Sequence, residues 1–127
     1  MTEAVPPSFD TAHLALAVEQ LEAAAVHALP FGAVRLDRDG RVLFFSDTEA
    51  RHSGYGARRP EGLHYFTEVA PCLAHAGFLG RIERARQAGT LDIEFGYIGD
   101  FDDADKELHC RVQSAGDGGL WIFTQRW

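Results

Sequence analysis

Two thiols, six imidazoles and one carboxylate among aromatic residues are the groups in this chain with chemistry to offer. Cys72 lies in EVAPCLAHAGF, directly after a proline and among small and apolar residues. A thiolate there could serve a cysteine enzyme as nucleophile, with His75 or His109 as base. The plainer alternative is a buried structural thiol. Cys110, in KELHCRVQSA, has nothing beside it to activate it and reads as structural. The histidines and cysteines fit neither CxxC pairs nor HExxH, so no structural zinc site is indicated and the imidazoles read as solvated or core groups. Glu49, in FFSDTEARHSG, taken alone reads as a solvated turn carboxylate. Enclosed by its aromatic neighbours it would become harder to ionise, and a neutral carboxyl can donate a hydrogen bond that a carboxylate cannot. There is no glycine-rich phosphate loop and no GxSxG elbow.

These groups must be positioned by a chain of 127 residues, enough for one domain with its own core. A net charge of -7 argues against a non-specific nucleic-acid binder, which needs a basic face. No run of about 18 apolar residues suggests a membrane span, and no basic-then-apolar leader suggests secretion. The expected location is therefore cytoplasmic, where two cysteines are free thiols.

Residues 1–10 carry two prolines and read as an arm. A helix is expected over 11–28, with Leu14, Val18, Leu21 and Ala25 on one face and Pro30 as its stop. FGAVRLD, the turn DRDG and RVLFF predict a hairpin. From Ser46 to Pro71 the pattern breaks into short pieces rich in aromatic residues, as in a segment that wraps a ligand. A second helix is expected over 77–88. LDIEFGYI, KELHCRVQSA and LWIFTQRW then read as consecutive antiparallel strands. The sum is an α+β domain, a five-stranded antiparallel sheet with helices beside it.

FTEVAPC (Phe66 to Cys72), FGAVRLDRDGRVL, LWIFTQRW and the helix GFLGRIERARQAGTL together resemble the photoactive yellow proteins, small bacterial blue-light receptors with the PAS fold. The resemblance runs from about Ala28 to Trp127. It implies a PAS core over 29–127 and an N-terminal arm and helix, 1–28, as a cap. In that family the cysteine of the APC motif, here Cys72, carries p-coumaric acid (4-hydroxycinnamic acid) as a thioester. The family holds this chromophore as a phenolate through a protonated glutamate, here Glu49, and a tyrosine hydroxyl. The resemblance also implies that the Cys72 amide binds the thioester carbonyl, and that Phe66, Phe78, Phe95 and Tyr97 pack around the ring.

The chain departs from the family in several places. Phe45 stands at the tyrosine position and has no donor. Losing a charge-assisted hydrogen bond costs on the order of 1.5–3 kcal/mol. That raises the phenol pKa by roughly one to two unless another group compensates. Ser53, at a threonine position, Ser46 or a water could supply the missing bond. Tyr55 stands where many members have an arginine over the ring. The acidic loop GDFDDAD lacks the methionine of well-known members, which implies slow recovery from the lit state.

The resemblance thus implies a photoreceptor, not an enzyme. Light isomerises the chromophore, Glu49 gives up its proton, and the cost of the buried carboxylate drives partial unfolding near the N-terminal helix. The expected partner is a downstream signalling protein, with no nucleic acid or membrane, and the chain is a monomer or weak dimer. The alternative, suggested by Phe45 and Tyr55, is a light-insensitive PAS module for ligand binding or protein interaction.

Overall fold

The computed structural model describes residues 6–56, 58–89, 91–98 and 107–126. Two short helices, α1 (Leu14–Glu19) and α2 (Ala23–His27), precede the hairpin β1 (Gly32–Leu36) and β2 (Val42–Phe45). Helix α3 (Asp47–Ser53), a π turn (Tyr65–Val69) and a 3-10 turn (Pro71–Leu73) lead to α4 (Leu79–Gln87). Strands β3 (Asp92–Ile98), β4 (Glu107–Ser114) and β5 (Leu120–Arg126) complete the chain. All five strands form one antiparallel sheet in the order β2-β1-β5-β4-β3. The α+β architecture and the hairpin at Asp39-Gly40 match the sequence reading. Gly40, at φ 87°, takes the left-handed turn conformation that other residues adopt at a cost.

The period-2 alternation of the strands gives the sheet two buried faces. Val34, Leu36, Phe45, Phe95, Leu108, Cys110, Val112, Leu120 and Ile122 point to one core, shared with the π turn, the 3-10 turn and α4. Ala33, Trp121 and Phe123 point to the other, covered by Phe9, Leu14, Val18, Val26 and Leu29. The N-terminal segment is therefore a lid on the reverse face of the sheet. Arg111 fastens it: its guanidinium donates to the carbonyls of Phe9 (2.6 Å) and Thr11 (2.8 Å). Gln113 adds an acceptor for the Ala15 amide at 2.7 Å.

The single helix expected over 11–28 is two. His13 has φ 52°, left-handed and incompatible with a helix already under way. After Glu19 the chain turns through tighter bonds, Gln20 N–H to Ala17 O and Leu21 N–H to Val18 O. The break rotates the apolar face, so that Val26 and Leu29 are buried and Ala25 is exposed. Helix α4 begins at Leu79, two residues later than expected. The acidic loop, Gly99 to Asp105, lies outside the described residues.

Candidate functional site

Between Ser46 and Pro71 the chain folds over the front face of the sheet, and α3 is its first fixed piece. Ser46 caps α3, its Oγ accepting the Glu49 amide at 3.1 Å and the Ala33 amide at 3.0 Å. Ser46-x-x-Glu49 is the spacing of a capping box, a signal in the sequence that would have located this helix. Here, however, the glutamate side chain does not turn back to the cap. It runs inward, 2% exposed, and meets Arg126. Arg126 Nη1 donates to Oε1 at 2.7 Å and Nη2 to Oε2 at 2.9 Å. The reading of Glu49 as a solvated turn carboxylate is overturned.

The arginine is as enclosed as its partner, with its side chain 4% exposed. A guanidinium offers donors only, so this fork–fork geometry is answered by an ionised carboxylate. Gly32 in β1 makes the room: a Cβ there would overlap Glu49 Oε1 and stand 3.1 Å from Cδ. Arg126 was missed from sequence, although a signal existed. It shares parity with Leu120 and Ile122, the inward-facing positions of β5, where a cation needs a buried partner.

Cys72 lies in the 3-10 turn that starts at Pro71, and it is exposed; Cys110 is buried in β4, and both are free thiols. An accessible thiol is not the buried structural group that was one reading of Cys72, whereas for Cys110 that reading holds. His109 does not serve Cys72. It occupies the reverse parity of β4, with Nε2 2.6 Å from Glu94 Oε2 and its ring 5.3 Å from that of Phe9. His75 follows Cys72 by three residues and is otherwise engaged. Its Nδ1 accepts the Gly77 amide at 3.0 Å, which assigns the ring hydrogen to Nε2, 2.7 Å from the Tyr97 hydroxyl. Burial first, then Cys72 and Cys110, push the Tyr97 phenol above its usual range.

Tyr65, in the π turn, joins the two ends of this interior. Burial holds its phenol well above the ordinary value, and the charges of Glu49, Cys110 and Cys72 add to the effect while Arg126 opposes it. No feature of the sequence singled Tyr65 out from the neighbouring aromatic residues.

The remaining expected residues gather in the same core. Phe45 packs on Tyr55 at 5.3 Å between ring centroids, Phe66 on Phe78 at 6.3 Å, and Phe78 on both Phe95 (5.3 Å) and Tyr97 (5.4 Å). Ser53 Oγ, buried, accepts the Tyr55 amide at 3.2 Å. Tyr55 is covered by a guanidinium: Arg58 lies 3.8 Å over its ring and donates to the Tyr55 carbonyl at 2.8 Å. Among the described residues no group of three or more histidine, cysteine or acidic side chains could hold a metal ion, and no helix is long and apolar enough to cross a membrane.

Comparison with known proteins matches residues 21–126 to the PAS fold family. The photoactive yellow protein of Cereibacter sphaeroides is 34% identical over 102 residues, covering 77% of this chain and 80% of that protein. The photoactive yellow protein of Rhodobacter capsulatus is 30% identical over 106 residues, 83% of this chain and 86% of that one. Among solved structures, the photoactive yellow protein domain of the sensor histidine kinase Ppr from Rhodospirillum centenum superposes with a TM-score of 0.74. It is 37% identical and covers 85% of this chain and 96% of that domain.

Proposed function

The chain belongs to the photoactive yellow protein family of PAS-fold domains, and from that premise we propose that it is a blue-light photosensor carrying p-coumaric acid as a thioester on Cys72. The observation that supports this reading is the exposed Cys72 thiol, set in the chain between the core residues Ala70 and Leu73, together with a carboxyl, Glu49, buried beside the same domain's sheet. The residues present fit such a group. A thiol is accessible for acylation, aromatic side chains line the core beside its turn, and the Tyr65 hydroxyl and the Glu49–Arg126 pair are buried polar groups that would meet the polar end of such a ring. When bound, p-coumaric acid supplies visible absorption, a trans-to-cis isomerisation and a phenolate oxygen able to accept a proton.

The chain's own residues do the rest. Cys72 Sγ would hold the acyl carbon, and its backbone amide would be the donor to the carbonyl. Phe45, Phe66, Phe78, Phe95 and Tyr97 exclude water, and Tyr55 with Arg58 closes the side nearest Phe45. Glu49 would hold the anionic end as a hydrogen-bond donor from a protonated carboxyl, and would be the source of the proton released after illumination. Ser53 backs the turn behind Phe45. Signalling follows from loosening of the N-terminal cap, toward a downstream protein. The related domain from Rhodospirillum centenum belongs to a sensor histidine kinase, which makes a signalling partner the natural reader of this chain as well.

The decisive test mixes the purified chain with activated p-coumaric acid. The photosensor reading expects one covalent adduct by mass, a visible band that bleaches in blue light and returns in the dark, and no adduct on Cys72→Ala. Equal loading of that variant, or no loading of the parent, refutes it. A light-insensitive PAS module is the second reading, favoured by Phe45, which removes one donor to a phenolate; an adduct without a light-driven spectral change would select it.

A further inference from the structure

Resting on the photosensor reading, we propose that Arg126 is the counter-ion that receives the Glu49 carboxylate when its proton leaves, so that the lit state is held by a buried ion pair. The geometry is already built in the chain without its chromophore. Both Arg126 nitrogens meet both Glu49 oxygens, at 2.7 and 2.9 Å, with the two side chains enclosed. Gly32 leaves the space that lets the carboxylate lie there. The strand and the helix that carry the pair are both fixed, β5 by pairing with β1 and β4, and α3 by the Ser46 cap.

The proton balance gives the pair its role. In the dark, an anionic chromophore beside an ionised Glu49 would place two negative charges around one guanidinium. Protonation of Glu49 restores neutrality and releases Arg126 from a carboxylate to the anionic end. On illumination the Glu49 O–H bond breaks, an O–H bond forms at the phenolate oxygen, and Arg126 keeps all its protons. Glu49 is then a buried carboxylate, a costly state if it stood alone. Here it has a preformed partner from β5. Tyr65 from the π turn, Cys72 from the 3-10 turn and Cys110 from β4 also act on this interior and bring no positive charge. Tyr97 carries His75 on its hydroxyl, Arg58 covers the Tyr55 ring and Arg81 lies over Phe95, while Arg126 is the cation seen bonded to the Glu49 carboxyl. The consequence is a lit state that persists, because recovery must reprotonate a carboxylate already satisfied.

Two readouts test the assignment, one of them without chromophore. In the chromophore-free chain, carbon-13 NMR of glutamate carboxyls should show Glu49 ionised at neutral pH in the parent and protonated in Arg126→Gln. Arg126→Lys should keep it ionised. In the loaded protein, Arg126→Gln should recover at least tenfold faster than the parent after a flash, with Arg126→Lys in between. A Glu49 that is protonated at neutral pH in the chromophore-free parent overturns the proposal. So does a loaded Arg126→Gln that recovers within twofold of the parent while its infrared difference spectrum still shows loss of a protonated carboxyl. A parent that does not load p-coumaric acid instead overturns the photosensor reading, and with it the role of the pair in light. Should Arg126→Gln not fold, the ionisation of Glu49 in the chromophore-free parent and the recovery of loaded Arg126→Lys, expected to be faster than the parent, carry the test, and recovery of Arg126→Lys no faster than the parent overturns the proposal.

Discussion

Replacing Gly32 by alanine adds one methyl group at the closest approach between the sheet and α3. The new Cβ would overlap Glu49 Oε1 and lie 3.1 Å from Cδ and 3.2 Å from Cβ of that residue. Ordinary contacts need about 3.5–4.0 Å, so the overlapping carboxyl oxygen must retreat by at least about 1.5 Å. The Arg126 contacts of 2.7 and 2.9 Å cannot survive such a move, since hydrogen bonds fade beyond about 3.2 Å. Separating a buried ion pair costs about 3–5 kcal/mol. Alanine in a strand returns about 0.5–1 kcal/mol relative to glycine. The expected net loss for Gly32→Ala is therefore about 2–4 kcal/mol. Urea unfolding at neutral pH would show it as a midpoint lowered by about 1–2 M, taking a slope near 2 kcal/mol per M. The cause is isolated by repeating the substitution in Glu49→Ala, where the clashing carboxyl is gone and only Cβ remains. There Gly32→Ala should cost within about 1 kcal/mol of zero. An equal loss in both backgrounds would refute the argument, because the damage would then lie in the strand and not in the ion pair.

Four further outcomes follow from the same geometry. A thiol reagent should label Cys72 alone in the native chain and reach Cys110 only on unfolding; native labelling at both sites would contradict the packing of β4. The raised Tyr65 phenol means that the folded state keeps a proton which the unfolded chain releases above about pH 10. Its contribution is thus full below that pH and lost as pH rises further, and Tyr65→Phe should flatten the alkaline limb of a stability–pH profile. Arg111→Met should remove two charge-assisted bonds to the arm, each worth about 1.5–3 kcal/mol, and speed proteolysis within residues 6–28; unchanged cleavage there would discount the fastening. In the loaded protein, Phe45→Tyr should lower the chromophore pKa in a spectrophotometric titration, and coincident curves would mean that Arg126 or another donor already replaces the missing hydroxyl.

The strands were legible because their alternation records which face each residue buries. The hairpin was legible because Asp39-Gly40 names its turn. The first helix was not, since nothing in AHLALAVEQLEAAAVHAL marks the left-handed His13 or the tight bonds after Glu19. Their stabilisation comes from Arg111, Gln113 and Trp121 on strands about a hundred residues away. Helix α3 was missed, although Ser46 and Glu49 stand in capping-box spacing, and the glutamate's inward turn depends on Gly32 and Arg126, which no local pattern connects. Phe45, Phe66, Phe78, Phe95 and Tyr97 were expected together and are found in one core. Arg126 illustrates the limit: its parity is visible in β5, whereas its partner is fixed only when strand and helix meet.

Strand β4 carries Cys110 and Val112 toward the core that faces Cys72, and His109, Arg111 and Gln113 toward the N-terminal lid. Neighbouring side chains on this strand thus belong to separate compartments, and the sheet works as an insulating wall between them. Slippage by one residue cannot carry a message through such a wall, because it would exchange the two sets of side chains wholesale. What crosses this strand is borne by the peptide backbone itself, as a change of twist or of spacing between β4 and β5. Around the edge of the sheet the two compartments touch directly, where Thr48 Oγ1 of α3 meets the His27 and Leu29 carbonyls and the Asp47 amide donates to His27 Nδ1, so α3 is the hinge between the core and the lid.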